Sequence, residues 1–66
     1  MNSEEAYKLW LKKQKQLEPA LPLRMMADIA GVAVGTVQGY IADLLKKGKV
    51  EQVGYGNKSQ YRMIEK

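Results

Sequence analysis

The sequence predicts a mostly α domain of three helices closed by a C-terminal β-hairpin. Two helical apolar patterns separated by the break Gly31-Val32-Ala33 predict the centre of this fold. Two short strand-like runs on either side of Gly54-Tyr55-Gly56-Asn57-Lys58 predict the hairpin. The chain has 66 residues, no internal repeat and no low-complexity tract, so residues 1–66 form one domain with a core close to the lower limit of self-sufficiency.

The first helix is expected from Ser3 to about Leu17. Asn2-Ser3-Glu4-Glu5 supplies capping side chains followed by acids, which suit the positive end of the helix dipole. Ala6, Trp10 and Leu17 share one face, with Tyr7 and Leu9 on its flanks. Lys8, Lys12 and Lys15 share the opposite face, either as phosphate contacts or as an ordinary solvated surface. Glu18-Pro19-Ala20-Leu21-Pro22 then interrupts the helical pattern, because two closely spaced prolines disfavour continuous helix. Pro22 also suits the first turn of the second helix.

The second helix is expected from about Leu23 to Ala30 and the third from about Val34 to Lys47. Gly48 suits a left-handed cap after the third, with Lys46 and Lys47 beside its negative dipole end or, equally, against phosphate. The strand-like runs are Val50 to Val53 and Ser59 to Ile64. In the second, Tyr61 and Met63 alternate with Gln60 and Arg62, which makes one face inward and the other wet. Trp10, Tyr40, Tyr61 and the methionines at helical spacing read as core, and Tyr55 at the hairpin tip as a stacking or incidental side chain.

Composition narrows the chemistry. There is no cysteine, hence no disulfide framework and no thiolate metal site, and no histidine, the commonest general base and zinc ligand. The acids show no evident pair and no glycine-rich phosphate loop precedes a helix, so the reading is not an enzyme, with no cofactor, metal or small-molecule ligand implied. The formal net charge of +4 favours a polyanionic partner. No apolar run is long enough for a membrane span and no signal-peptide pattern leads the chain, so a cytoplasmic protein without a membrane partner is expected.

The most informative stretch runs from Leu23 to Ala42. Two helices meeting steeply across a short turn need a small residue where they cross, supplied by Ala27, and a positive-φ residue four positions later, supplied by Gly31. Met26, Ala30, Val32 and Val37 stand where apolar residues lock such a pair. These spacings resemble the helix-turn-helix of bacterial transcription regulators. The continuation Gly35-Thr36-Val37, Ile41, Leu44, Gly48 and Val50 looks like the winged-helix regulators, particularly the GntR-type DNA-binding domain. In size and layout the chain is also similar to the PapI/FaeA-like regulators of fimbrial operons. The resemblance covers residues 23–64 and implies a winged helix-turn-helix.

It further implies a duplex DNA partner, with the start of the third helix in the major groove. The residues there are Ala33, Val34, Gly35, Thr36, Gln38 and Gly39. Gln38 is the best base reader, because a carboxamide pairs bidentately with adenine, and Thr36 offers a hydroxyl and a methyl. Arg24 is expected on a backbone phosphate, and Asn57, Lys58 and Arg62 in the wing against the minor groove or its phosphates.

The sequence departs from the family pattern. GntR-type recognition helices often carry arginines where Val34, Gln38 and Gly39 stand, and Ala33 replaces the usual serine or threonine cap. Each helical glycine costs about 0.5–1 kcal/mol relative to alanine, so Gly35 and Gly39 mark a close approach of DNA backbone, a close approach of a partner helix to the face with Ala42, or a tolerated imperfection. Affinity then leans on phosphate contacts and on self-association of a free monomer along DNA. The rival reading is a protein-binding winged helix that docks on another protein with the same surface.

Overall fold

Asn2 opens the first helix, accepting the backbone N–H of Glu5 on its side-chain oxygen at 2.9 Å. The computed structural model describes residues 1–16, 20–54, 56 and 59–65. Within them α1 is Ser3–Gln16, β1 Leu21–Pro22, α2 Leu23–Ala30, α3 Val34–Lys46, β2 Val50–Val53 and β3 Gln60–Met63. This is a winged helix-turn-helix: three helices against a small antiparallel sheet. The helix bounds match the sequence pattern to within a residue, α3 ending at Lys46 rather than Lys47; Leu17 lies outside the described residues.

The sheet differs from the expected plain hairpin. It has three strands in the order β1-β3-β2. Leu21 pairs with Tyr61 and Pro22 with Gln60, so part of the expected linker is an edge strand. An edge is where a proline is tolerated, since its missing N–H removes no bond from the far side of the ladder. Two residues carry no periodicity, which is why the pattern of alternation did not disclose the strand. The strand after the wing is also shorter than Ser59–Ile64.

One core holds the elements together. Ala6, Trp10, Leu21, Met26, Ala27, Val37, Ile41, Leu44, Val50 and Met63 are all buried in it. The Trp10 indole is fully enclosed and donates its Nε1–H to the Met26 carbonyl at 2.8 Å. Tyr7, Tyr40 and Tyr61 are half-buried at the rim rather than core, because a phenol hydroxyl needs a hydrogen-bond partner that an apolar centre lacks; those of Tyr7 and Tyr40 donate to the Ile64 and Met1 carbonyls. Leu9, expected on the flank of the apolar face, is exposed, and so is Met1.

A polar seam binds α1 to the sheet. Gln14 lies one helical turn beyond Trp10, on the core side of α1. Its amide accepts the Met63 N–H at 2.7 Å and donates to the Met63 carbonyl at 3.1 Å, mimicking a neighbouring strand. Among the described residues no single helix is long and apolar enough to cross a membrane.

Candidate nucleic-acid interface

The surface expected to meet DNA begins at the turn between α2 and α3. Gly31 ends α2 at φ 69°, the left-handed region that a β-carbon makes costly. The N–H groups of Gly31 and Val32 both return to the Ala27 carbonyl, at 2.8 and 3.2 Å. This cap stops the helix and turns the chain, so that α3 leaves at 101° to α2. Met26, Ala27 and Val37 pack beneath the corner. Gly48 ends α3 in the same way at φ 71°, its own N–H bonding to Leu45 and that of Lys49 to Leu44.

With Val37, Ile41 and Leu44 held inside, the opposite side of α3 presents Gly35, Gln38, Gly39, Ala42 and Lys46 to solvent. Ala33, Val34 and Thr36 are also exposed at its first turn. This face is almost uncharged, and a β-carbon added to Gly35 or Gly39 meets nothing within 4 Å. Among the described residues, no packing inside the domain therefore requires either glycine. Ala33 precedes α3 in extended conformation and, among the described residues, no side chain caps the start of α2 or α3.

Beside this face runs an open groove of about 560 Å³ lined by Pro22, Leu23, Arg24, Val34, Gly56 and Ser59. It brings the expected phosphate contact Arg24 and the expected base-facing Val34 to the foot of the wing. Pro22, Leu23 and Ser59 were not singled out by sequence, because only the β1–β3 pairing sets the start of α2 beside the wing. Asn57 and Lys58, expected to reach DNA from the wing, lie outside the described residues, as does Tyr55.

Other expected contacts are engaged within the protein. Arg62 sits opposite Glu51 in the register of β3 and β2 and forms an ion pair with it, so the guanidinium is shared with a carboxylate before any phosphate arrives. Lys47 pairs with Asp43 at 3.0 Å and with Glu4 at 3.4 Å, which favours its helix-terminal role over phosphate contact. Lys49 pairs with Glu4 at 2.7 Å and lies 5.4 Å from the centre of the Tyr7 ring. Hydrogen bonding to Lys49 holds the Glu4 carboxyl below its ordinary pKa, and the Ser3 hydroxyl, then Lys47, does so for Asp43. The same Asp43 contact raises the pKa of Lys47.

No family model and no curated protein matches the chain. Among solved structures it resembles a crystal structure of the DIP2311 protein from Corynebacterium diphtheriae, with a TM-score of 0.71 and 24% identity. The match covers 96% of this chain and 11% of that one, so the shared part is a small portion of a much longer protein. At this identity the likeness speaks for the fold alone.

Proposed function

We propose that this domain binds duplex DNA with a preference for certain sequences, as a cytoplasmic transcriptional regulator. The observation that carries the reading is the free outer face of α3, set at 101° to α2 with Thr36 and Gln38 exposed on its first turns. A helix displayed in this way fits the width of the major groove. Gln38 then reads a base edge, and Arg24, at the rim of the neighbouring groove, meets the phosphate backbone. Lys46 extends the contact at the far end of the same face. With little charge on α3, much of the affinity comes from the backbone and from neighbouring copies on the duplex.

A second reading, docking on another protein, is favoured by the near absence of charge on the α3 face and by the engagement of Arg62 and Lys47 in ion pairs. Titrating a mixed-sequence duplex at a series of salt concentrations separates the two. DNA binding gives an affinity that falls linearly with salt on logarithmic axes, because each neutralised phosphate releases counterions. Absence of binding to any duplex at low salt rejects the DNA reading.

A further inference from the structure

We infer that the outer face of α1 is a second duplex-binding surface, so that one copy of the protein bridges two DNA segments; this rests on the DNA reading of α3. The inference starts from where the free positive charge lies. Among the described residues, Lys15, Lys47, Lys49 and Arg62 are in ion pairs, whereas Lys8, Lys12, Lys13, Arg24 and Lys46 are in none. Three of these five stand on α1.

Lys8 and Lys12 are exposed one helical turn apart, on the side of α1 opposite the buried Ala6 and Trp10. Lys15 continues the row and stays half in solvent while it pairs with Glu65 at 2.8 Å. The three ammonium groups follow about 10 Å of helix axis, and Glu5 stands at the N-terminal end of the face. The row does not lie on the recognition surface. Ala6 and Trp10 of α1 share one buried core with Val37, Ile41 and Leu44 of α3, and Tyr40 of α3 packs at the rim with its ring centre 6.4 Å from that of Trp10, so the solvent sides of the two helices turn outward in different directions.

The whole domain measures only 26 × 26 × 23 Å. A single duplex would have to bend sharply around it to touch both faces, and DNA is stiff over about 150 base pairs. Two duplexes reach both faces without bending. The chemistry of the α1 face suits phosphate better than protein, since it offers mobile point charges, while the apolar groove of the domain lies elsewhere, beside α3.

The test uses one duplex fixed to beads and a second, fluorescent duplex in solution. The protein is expected to retain the free duplex at low salt, and the double variant Lys8→Gln/Lys12→Gln to reduce that retention about tenfold, while still occupying the fixed duplex. Lys8→Arg/Lys12→Arg keeps the charge and retains bridging. Both positions are exposed, so an unchanged melting curve confirms that the variants fold. Bridging that survives the glutamine substitutions comes from self-association and overturns the inference. Duplex binding without bridging also overturns it but leaves α3 as the DNA surface, whereas no duplex binding at all removes both readings. Binding to polyglutamate that depends on Lys8 and Lys12, without bridging, assigns the face to an acidic protein and likewise overturns it.

Discussion

The indole of Trp10 on α1 and the backbone carbonyl of Met26 on α2 are joined by a hydrogen bond of 2.8 Å in the fully buried centre of the domain. It fastens the supporting helix to the first helix of the helix-turn-helix, and so fixes the base from which α3 projects. A domain of this size has only about 0.05–0.15 kcal/mol of stability per residue, whereas emptying a buried tryptophan site costs about 3–5 kcal/mol. Trp10→Ala is therefore expected to leave the chain largely unfolded at room temperature. Trp10→Phe fills most of the volume but loses the indole N–H bond, leaving the Met26 carbonyl with its helical partner alone and a small void beside it, which lowers stability by about 1–3 kcal/mol. Urea denaturation followed by circular dichroism measures both.

Gly35 and Gly39 are the positions where stability and binding should separate. A β-carbon has open space at each, so Gly35→Ala and Gly39→Ala should each stabilise the fold by about 0.5–1 kcal/mol. On the DNA reading the same methyl groups stand between α3 and the duplex. The double variant should melt higher and bind DNA more weakly. A higher melting temperature with undiminished binding would show that the α3 face is not in close contact.

Gln38 and Arg24 should fail in different ways. Gln38→Ala is expected to reduce discrimination between preferred and scrambled duplexes by about 1–3 kcal/mol, with less effect on binding to mixed sequence. Arg24→Ala should weaken all duplexes alike and flatten the logarithmic salt dependence by about 0.9. Fluorescence anisotropy over a salt series resolves these two patterns, and two silent substitutions would place the interface elsewhere.

The seam between α1 and the end of α3 makes the fold sensitive to acid. Glu4 and Asp43 have depressed pKa values in the folded chain, so unfolding takes up protons there. Their contribution is complete above the ordinary carboxylate range and is lost as pH falls through the lowered folded values. The melting temperature should drop in that window, and Glu4→Gln should lower it at neutral pH but not in strong acid. Lys47 has the opposite sign at the other end of the scale, its contribution fading only as pH rises through its raised folded value.

Gln14→Leu tests the polar seam on α1. The substitution keeps bulk but leaves the Met63 N–H and carbonyl without their partner, at a cost of about 1–3 kcal/mol for the stranded groups. Hydrogen exchange at the Met63 amide should accelerate more than that at Leu44 in the middle of the core.

Much of the scaffold was legible in the sequence because its signals are local. Ala27 and Gly31 announce the corner, Gly48 announces the end of α3, and the spacing of Val37, Ile41 and Leu44 marks its inner side. Gln14 was not among the residues that the sequence singled out; its signal is a polar side chain one turn after Trp10 on an apolar face, and its partner lies 49 positions away. The candidate site was less legible. Arg62 and Lys47 look like free cations in the sequence, and only the register of β2 with β3 and the approach of α1 to α3 show them paired.

By itself, then, the sequence determined the three helices, the cap that opens α1, the glycines that end α2 and α3, and the corner between those two helices, since each depends on residues within one or two turns of each other. The tertiary structure alone decided that Leu21 and Pro22 join the sheet, that Glu4 gathers Lys47 and Lys49, and that Lys8 and Lys12 of α1, in no ion pair among the described residues, stand away from the bare face of α3. The physical reason is chain distance. Leu21 meets Tyr61, and Glu4 meets a lysine 45 positions away, through docking of whole elements. Such pairings are set by how the hydrophobic faces close on one another, and no local periodicity records them.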